Sequence, residues 1–411
     1  MTRAVVTGLG AVTPLGIGVD TFWEGLTAGR SGIRKIQSFD ASGLDVQIAG
    51  EVPDFNPADH MDIKKARRMD RFSQFGVAAA REAIEHACLE ITDDNRERIG
   101  IMMNTGGGGI PTIASEVRVM EERGPKRVGS LVIPLFAPNM ASCQVAIMFD
   151  IHGPTVTSVA ACAAGVQAFV DAVAMIERGD VEVVITGGTE AAIIPVAIAS
   201  LSNMRALSRC NEAPERASRP FDADRDGFVF SEGAAAAILE SEEHAARRGA
   251  TPIAFAHGGY YTSDAYHITA PDPSGRGAAT AMRGALRRAE LEPTDIDYVA
   301  AHATATTIGD IAETNMLKNV YGGHAYNLSI SANKSMVGHL LGAAGAVSAL
   351  TCILAIRDGV IPPTINLDTP DPECDLDYTP NTKREREVRA AVANGFGFGG
   401  QNACAAFTAP E

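Results

Sequence analysis

The sequence predicts an α/β protein made of two similar halves, and three observations carry that expectation. A unit reading helix, acidic turn, strand and glycine-rich loop runs from Ala78 to Gly106 and returns from Thr280 to Thr306. A second unit follows in each half. The helix after Cys162 ends at Arg178-Gly179-Asp180 before the strand-like Val181 to Thr186, and the helix after His339 ends at Arg357-Asp358-Gly359 before another extended stretch. Because both pairs occur in the same order, duplicated α/β units packed about a pseudo-twofold axis are expected, with halves 1–250 and 251–411 meeting near Gly249-Ala250. Functional residues would then converge at the centre from equivalent loop ends.

Composition narrows the classes of function. A chain of 411 residues, 46% hydrophobic and 21% charged, has ample length for a large core and reads as a soluble globular protein. Its net charge of -15 argues against broad nucleic-acid binding, which needs a compensating basic surface. The seven cysteines show no CxxC pairs or matching His spacing, so neither a metal site nor a disulfide framework is expected, and a reducing compartment fits. The strand-like Ala4 to Thr7 follows the start at once, without the apolar stretch of a signal peptide. The richest apolar run after Cys162 is interrupted by Asp171, so no membrane span is expected and the protein is placed in the cytoplasm.

Taken in order, Ala4 to Gly16 reads as a buried strand and a glycine turn. Gly8-Leu9-Gly10 begins like a dinucleotide loop, but Thr13 stands at the third glycine position and Pro14 follows, so nucleotide binding is not expected there. Lys64 to Arg71 (KKARRMDR) is the densest basic cluster in an acidic chain. Most charge runs are solvated helix faces, yet the contrast with the net charge points to an acidic partner, with Lys126 and Arg127 extending the patch. Thr105 to Gly109 (TGGGG) lacks the Gly-Lys-Ser/Thr of a phosphate loop, so its glycines are read as permitting close backbone approach.

Val159 to Gly165 (VAACAAG) places Cys162 between an extended, β-branched stretch, Pro154 to Val159, and a helix over Val166 to Arg178. A free cysteine among alanines is usually a small buried hydrophobe. At a helix start, however, unpaired N–H groups and the macrodipole favour an anion, which predicts a lowered thiol pKa and a reactive thiolate. Two histidines have settings of their own. His302 follows the strand-like Tyr298 to Ala301, and His339 opens another small-residue helix start, LLGAAGAVSAL.

These elements together resemble the elongating β-ketoacyl-acyl-carrier-protein synthases, condensing enzymes of thiolase-like fold. The resemblance runs from VVTGLGAVTPLG through RPFDADRDGFVFSEGAA and NKSMVGHLLGAAGA to NGFGFGGQN, covering essentially the whole chain. It implies a layered α-β-α-β-α architecture. It implies too that Cys162 accepts an acyl group from the phosphopantetheine arm of a carrier protein, with backbone N–H groups of Cys162 and Phe398 as the oxyanion hole. His302 and His339 would hold the malonyl thioester carbonyl through Nε2–H while carbon dioxide leaves, with Lys334 supporting the pair. Asp310 and Glu313 match structural residues of the same loop, Thr304 and Thr306 match pantetheine-binding residues, and Phe398 matches the aromatic gate of the acyl pocket. Lys64, Lys65, Arg68, Lys126, Arg127 and Arg205 fall where the family presents positive charge to its acidic acyl carrier protein. No cofactor of the enzyme's own is implied, since phosphopantetheine arrives on the carrier.

Three positions depart from the family pattern. Ala303 replaces a usual glycine, Ser348 stands where many relatives carry a glutamate paired with the lysine, and Gly107 stands where several place an isoleucine in the acyl pocket. The missing side chain at Gly107 predicts room for long, rigid or unsaturated acyl chains. Resemblance also implies dimers through edge pairing of the central sheets, for which the β-prone Val181 to Thr186 is a candidate edge. The leading reading is a homodimeric condensing enzyme of fatty-acid elongation. The alternative is the ketosynthase of a discrete polyketide or polyene synthase, working beside a homologous cysteine-less subunit. Cys162, His302 and His339 together argue against a non-catalytic subunit. Cys404, in the synthase pattern after NGFGFGGQNA, is read as a buried strand residue and not as the second cysteine of a biosynthetic thiolase.

Overall fold

Runs of small and β-branched residues form two sets of strands with one topology. In the computed structural model, which describes residues 2–410, the first set is β1 (Ala4–Thr13), β2 (Ile99–Asn104), β3 (Thr155–Val156), β4 (Val183–Glu190) and β5 (Gly233–Ser241). The second is β6 (Ala254–Ser263), β7 (Tyr298–Ala300), β8 (Ser329–Ser331), β9 (Ala390–Gly397) and β10 (Gln401–Thr408). Their spatial orders are β3-β2-β4-β5-β1 and β8-β7-β9-β10-β6. Pairing sense repeats as well. β2 is parallel to β3 and β4, and β5 antiparallel to β4 and β1. β7 is parallel to β8 and β9, and β10 antiparallel to β9 and β6. The sets join where β1 pairs with β6 at Ala4–Val6.

Five helices complete the layers: α1 (Arg71–His86), α2 (Ala164–Glu177), α3 (Arg276–Arg288), α4 (Thr307–Tyr321) and α5 (Ala344–Asp358). α1 covers β1 and β5, α3 covers β6 and β10, and α2 and α5 pack on each other and against strands of both sets. This is the α-β-α-β-α stack of the thiolase-like fold. A helix enclosed on every side must be apolar all round, and every residue of Ala344–Ile356 is buried. By length and composition Leu341–Asp358 is apolar enough to cross a membrane, but here it is a core helix, 83% buried. The two central helices touch through glycines. A Cβ on Gly165 would stand 2.4 Å from the Ala346 nitrogen, and one on Gly345 2.4 Å from the Val166 nitrogen.

Two expectations need correction. The extended stretch before Cys162 pairs as a strand only at Thr155–Val156, with one further bridge between Thr105 and Val159. Val181 to Thr186 is no edge: the run leads into β4, which lies between β2 and β5 and is buried throughout. Its β-prone character, read as a candidate edge, belongs to a strand that is hydrogen-bonded to a neighbour on each side. The ends of the sheet are β3 and β8.

Candidate active site

Cys162 sits in a single turn of 3-10 helix, Ala161–Ala163, that opens α2. Ala161 holds the left-handed conformation at φ 47°, a strained geometry that turns the next residue toward the centre of the molecule. The chain bends back beside it at the β9–β10 turn, where a Cβ on Gly397 would come within 2.9 Å of the Cys162 nitrogen. Backbone N–H groups of Phe398 and of Cys162 itself face the sulfur. The lowered thiol pKa expected from the helix start is not found. Burial pushes Cys162 up to about 12, the Lys334 charge pulls it down, and buried Glu190 raises it again. In this dry site desolvation outweighs the backbone donors.

His302 follows β7 on a loop held by two buried carboxylates. Glu313 accepts from the N–H of His302 at 2.9 Å and of Ala303 at 2.6 Å, and also from Asn394 Nδ2 at 3.0 Å. Asp310 accepts from the Ala305 N–H at 3.2 Å and the Phe221 N–H at 2.9 Å, with Arg225 Nε 3.7 Å away. Burial raises both acids, Asp310 to about 7. Ala303, which replaces the usual glycine, takes φ 23°, and Ala305 φ 65°. Their N–H groups are thereby spent on the carboxylates, which fixes the direction in which His302 leaves the loop.

His339 follows the short helix Lys334–Val337 and is fastened to the other half. Its N–H donates to the Val229 carbonyl at 2.7 Å, and its carbonyl accepts from the Ser231 N–H at 3.0 Å. The His302 and His339 rings meet edge to face with centroids 5.4 Å apart, flanked by Phe396 and Phe228. Burial, with the Lys334 charge second, holds both imidazoles well below their ordinary pKa, so both are neutral at pH 7. Among the described residues His339 Nδ1 makes no hydrogen bond.

Lys334 is 1% exposed and its Nζ makes no hydrogen bond among the described residues. Burial lowers it to about 8, against the opposing pull of Glu313, then Cys162 and Asp310. Glu313 is thus the carboxylate it feels most. Ser348 is engaged elsewhere, with Asn333 Nδ2 3.3 Å from its hydroxyl.

A cavity of about 380 Å³ brings these elements together, lined by Cys162, His302, His339, Thr304, Thr306 and Phe398 among others. The Thr304 and Thr306 hydroxyls are 3.2 Å apart. Arg205 lines the same cavity and is exposed. Lys64, Lys65 and Arg68 are exposed on and just after the short helix Ile63–Ala66, and Lys126 and Arg127 on the turn Pro125–Arg127.

Gly107 is corrected. It does not line this cavity, and the place its Cβ would take is filled by the tip of Ile110, 2.6 Å away. The missing side chain leaves no vacancy, because a neighbour has moved into it. Sequence reasoning also missed Glu190, fully buried at the end of β4, and Asn394. Glu190 carried a signal, being a lone acid in the small and apolar run VVITGGTEAAII. Asn394 carried none beyond its place in NGFGFGG.

Comparison with known proteins bears on this site. The family model described as beta-ketoacyl synthase, N-terminal domain, matches residues 1–245, and its C-terminal counterpart matches residues 253–368. The chain is 46% identical over 405 residues to 3-oxoacyl-acyl-carrier-protein synthase 2 of a Synechocystis strain, covering 98% of this chain and 97% of that one. Among solved structures, the ishigamide ketosynthase/chain length factor matches at 35% identity and TM-score 0.92. A type II polyketide ketosynthase in complex with its acyl carrier protein, bound to a hexaketide, matches at 32% and 0.91. Both cover the whole of this chain and of their own.

Proposed function

The chain belongs to the β-ketoacyl synthase family, and from that premise we propose how its residues divide the decarboxylating condensation of an enzyme-bound acyl group with malonyl-acyl-carrier protein. One observation carries the assignment. Cys162, with two N–H donors at its sulfur, shares one cavity with two neutral imidazoles from the other half of the chain.

Acyl transfer comes first. The Cys162 sulfur attacks the thioester carbonyl of the acyl-carrier protein, the oxyanion is held by the Cys162 and Phe398 N–H groups, and the pantetheine thiol leaves with the proton. The free thiol is almost wholly protonated, and its ionisation is favoured by the Lys334 charge first and by the Phe398 and Cys162 N–H groups. Malonyl-carrier protein then places its thioester carbonyl against His302 and His339. As the carboxylate departs as carbon dioxide, their N–H groups take up the charge developing on the enolate oxygen. The enolate carbon bonds to the acyl carbon, the C–S bond to Cys162 breaks, and β-ketoacyl-carrier protein leaves a thiolate that is reprotonated. Neutral imidazoles suit this step, since they donate without surrendering a proton to the carbanion. No cofactor of the enzyme's own enters the scheme.

An acyl carrier protein would meet Arg205 at the cavity, with Lys64, Lys65, Arg68, Lys126 and Arg127 extending the positive surface. None of these six side chains takes part in an ion pair among the described residues, so their charge is available to an acidic partner. A homodimer across β3 accounts for the apolar surface there. Ile133, Ile147 and Val159 are each more than half exposed, and Val156 of β3 is 42% exposed. Seven unpaired cysteines suit a reducing, cytoplasmic setting.

The polyketide reading is favoured by the two solved ketosynthases, but the 3-oxoacyl synthase relative is nearer in sequence, 46% against 32–35%. Co-purification separates them, because a cysteine-less homologous subunit would accompany the chain in the second case only. The test of activity is intact-protein mass spectrometry with a panel of acyl-carrier proteins, followed by malonyl-carrier protein. An acyl adduct on Cys162 that malonyl-carrier protein discharges as β-ketoacyl product is expected, and failure of every carrier to load Cys162 contradicts the reading.

A further inference from the structure

We propose that Glu190 is a positioning residue for the condensation: its carboxylate clamps the turn after His339 to the loop after β2, and so keeps the His339 and Cys162 sides of the cavity in register. This rests on the condensing activity proposed above.

The duplication shows what this carboxylate occupies. Ala161-Cys162-Ala163-Ala164-Gly165 and Leu341-Gly342-Ala343-Ala344-Gly345 are equivalent segments. Each is a 3-10 turn that opens a central helix, and each begins at a non-glycine residue in the left-handed region, Ala161 at φ 47° and Leu341 at φ 44°. Gly342 is therefore the counterpart of Cys162. At Cys162 the backbone N–H faces the reactive sulfur. At Gly342 the equivalent N–H donates to Glu190 Oε2 at 3.1 Å, and the same oxygen accepts from the Gly106 N–H at 2.8 Å. Thr105 Oγ1 lies 3.3 Å from Oε1. No side chain fits at Gly342, where a Cβ would stand 2.1 Å from the Gly106 nitrogen. The second half thus retains the anion-binding turn, filled by an acid from the first half.

The clamp joins parts that must not drift. Gly342 is three residues beyond His339, while Thr105 bridges Val159, three residues before Cys162. Glu190 is fully buried and no cation pairs with it among the described residues, so these protein donors are what keep it in place. Truncation would leave the buried Gly342 N–H and the part-buried Gly106 N–H without an acceptor at the point where the halves meet.

Glu190→Gln keeps a carbonyl oxygen for both N–H groups and removes the charge, whereas Glu190→Ala removes the acceptor. In the full-length protein, Glu190→Ala should lower kcat for condensation by about 100-fold with KM nearly unchanged, the scale of an ångström misplacement of reacting groups. Glu190→Gln should restore most of that kcat. The pH profile of Cys162 alkylation by iodoacetamide is read in parallel. Cys162 is faced by the charges of Lys334 and Glu190, and Lys334 in turn by Glu313 and Asp310. All but Glu190 remain in the variants, so the Gln profile should move to lower pH. Parental kcat in Glu190→Ala, or Glu190→Gln no better than Glu190→Ala, overturns the proposal. If the Ala protein does not fold, an unshifted alkylation profile in the Gln protein overturns it. A parent that no acyl-carrier protein loads would overturn the functional reading instead, and the alkylation profile would still decide on Glu190.

Discussion

His302 and His339 stand edge to face, with ring planes at 85° and centroids 5.4 Å apart, although one leaves a loop after β7 and the other a turn tied to Val229. The N–H bonds of parallel stacked rings lie in two planes that never meet, whereas the planes of rings at right angles intersect, which allows two donors to converge on one acceptor. Desolvation keeps both rings neutral, so each has one proton to donate and none in excess.

From this pairing, His302→Ala and His339→Ala should each lower malonyl decarboxylation by about 100- to 1,000-fold, the range for removing one preorganised oxyanion donor. Acyl loading of Cys162 should fall far less, because its donors are backbone groups. Carbon dioxide release and intact mass measure the two steps separately. Equal loss of both would contradict the division of labour.

Removing the nucleophile gives the complementary result. Cys162→Ala should abolish condensation and loading while measurable decarboxylation of malonyl-carrier protein persists, since the histidine pair and its supporting carboxylates are untouched. Release of carbon dioxide from labelled malonyl-carrier protein, without β-ketoacyl product, checks this. Absence of decarboxylation would mean that the sulfur takes part in that step too.

Much of this site was legible in sequence because its residues lie at loop ends of a duplicated unit. Cys162 and His339 each stand at a small-residue helix start, and His302 follows the strand-like Tyr298 to Ala301, and these settings survive folding. Gly107 was not legible, because the room left by a missing side chain depends on neighbours, and Ile110 closes it. Val181 to Thr186 misled for a similar reason: β propensity does not say how many partners a strand has. The thiol pKa failed on energetics. The helix start is local and visible in sequence, whereas the desolvation that outweighs it depends on the whole cavity.

The exposed basic segments give a prediction in KM. Lys64→Glu, Lys65→Glu and Arg68→Glu combined should raise KM for acyl-carrier protein about tenfold or more, with the effect fading as salt screens the surface. Loading from a carrier-free acyl-pantetheine thioester should be much less affected. Initial rates with both donors at low and high ionic strength check this, and equal damage with the carrier-free donor would remove the docking role.

Lys334 sets activity against stability. Its pKa falls from an ordinary 10.5 to about 8 on folding because burial strips the ammonium of water and no hydrogen bond among the described residues replaces it. Below pH 8 both folded and unfolded chains carry the proton, so the full cost of the buried charge persists, on the order of 3 kcal/mol for a shift of this size. Between pH 8 and 10.5 the folded chain gives up the proton first, and this contribution to stability rises with pH. Lys334→Met keeps the stem and removes the charge. It should therefore be more stable than the parent at pH 7, with the gap closing as pH rises toward 10.5. The same change removes the charge that lowers the Cys162 thiol pKa, so loading should slow even as stability rises. Denaturation midpoints at pH 7 and 9.5, with loading rates on the same samples, test both halves of the prediction. A variant less stable than the parent at pH 7 would mean that Glu313 repays the burial of the ammonium in full.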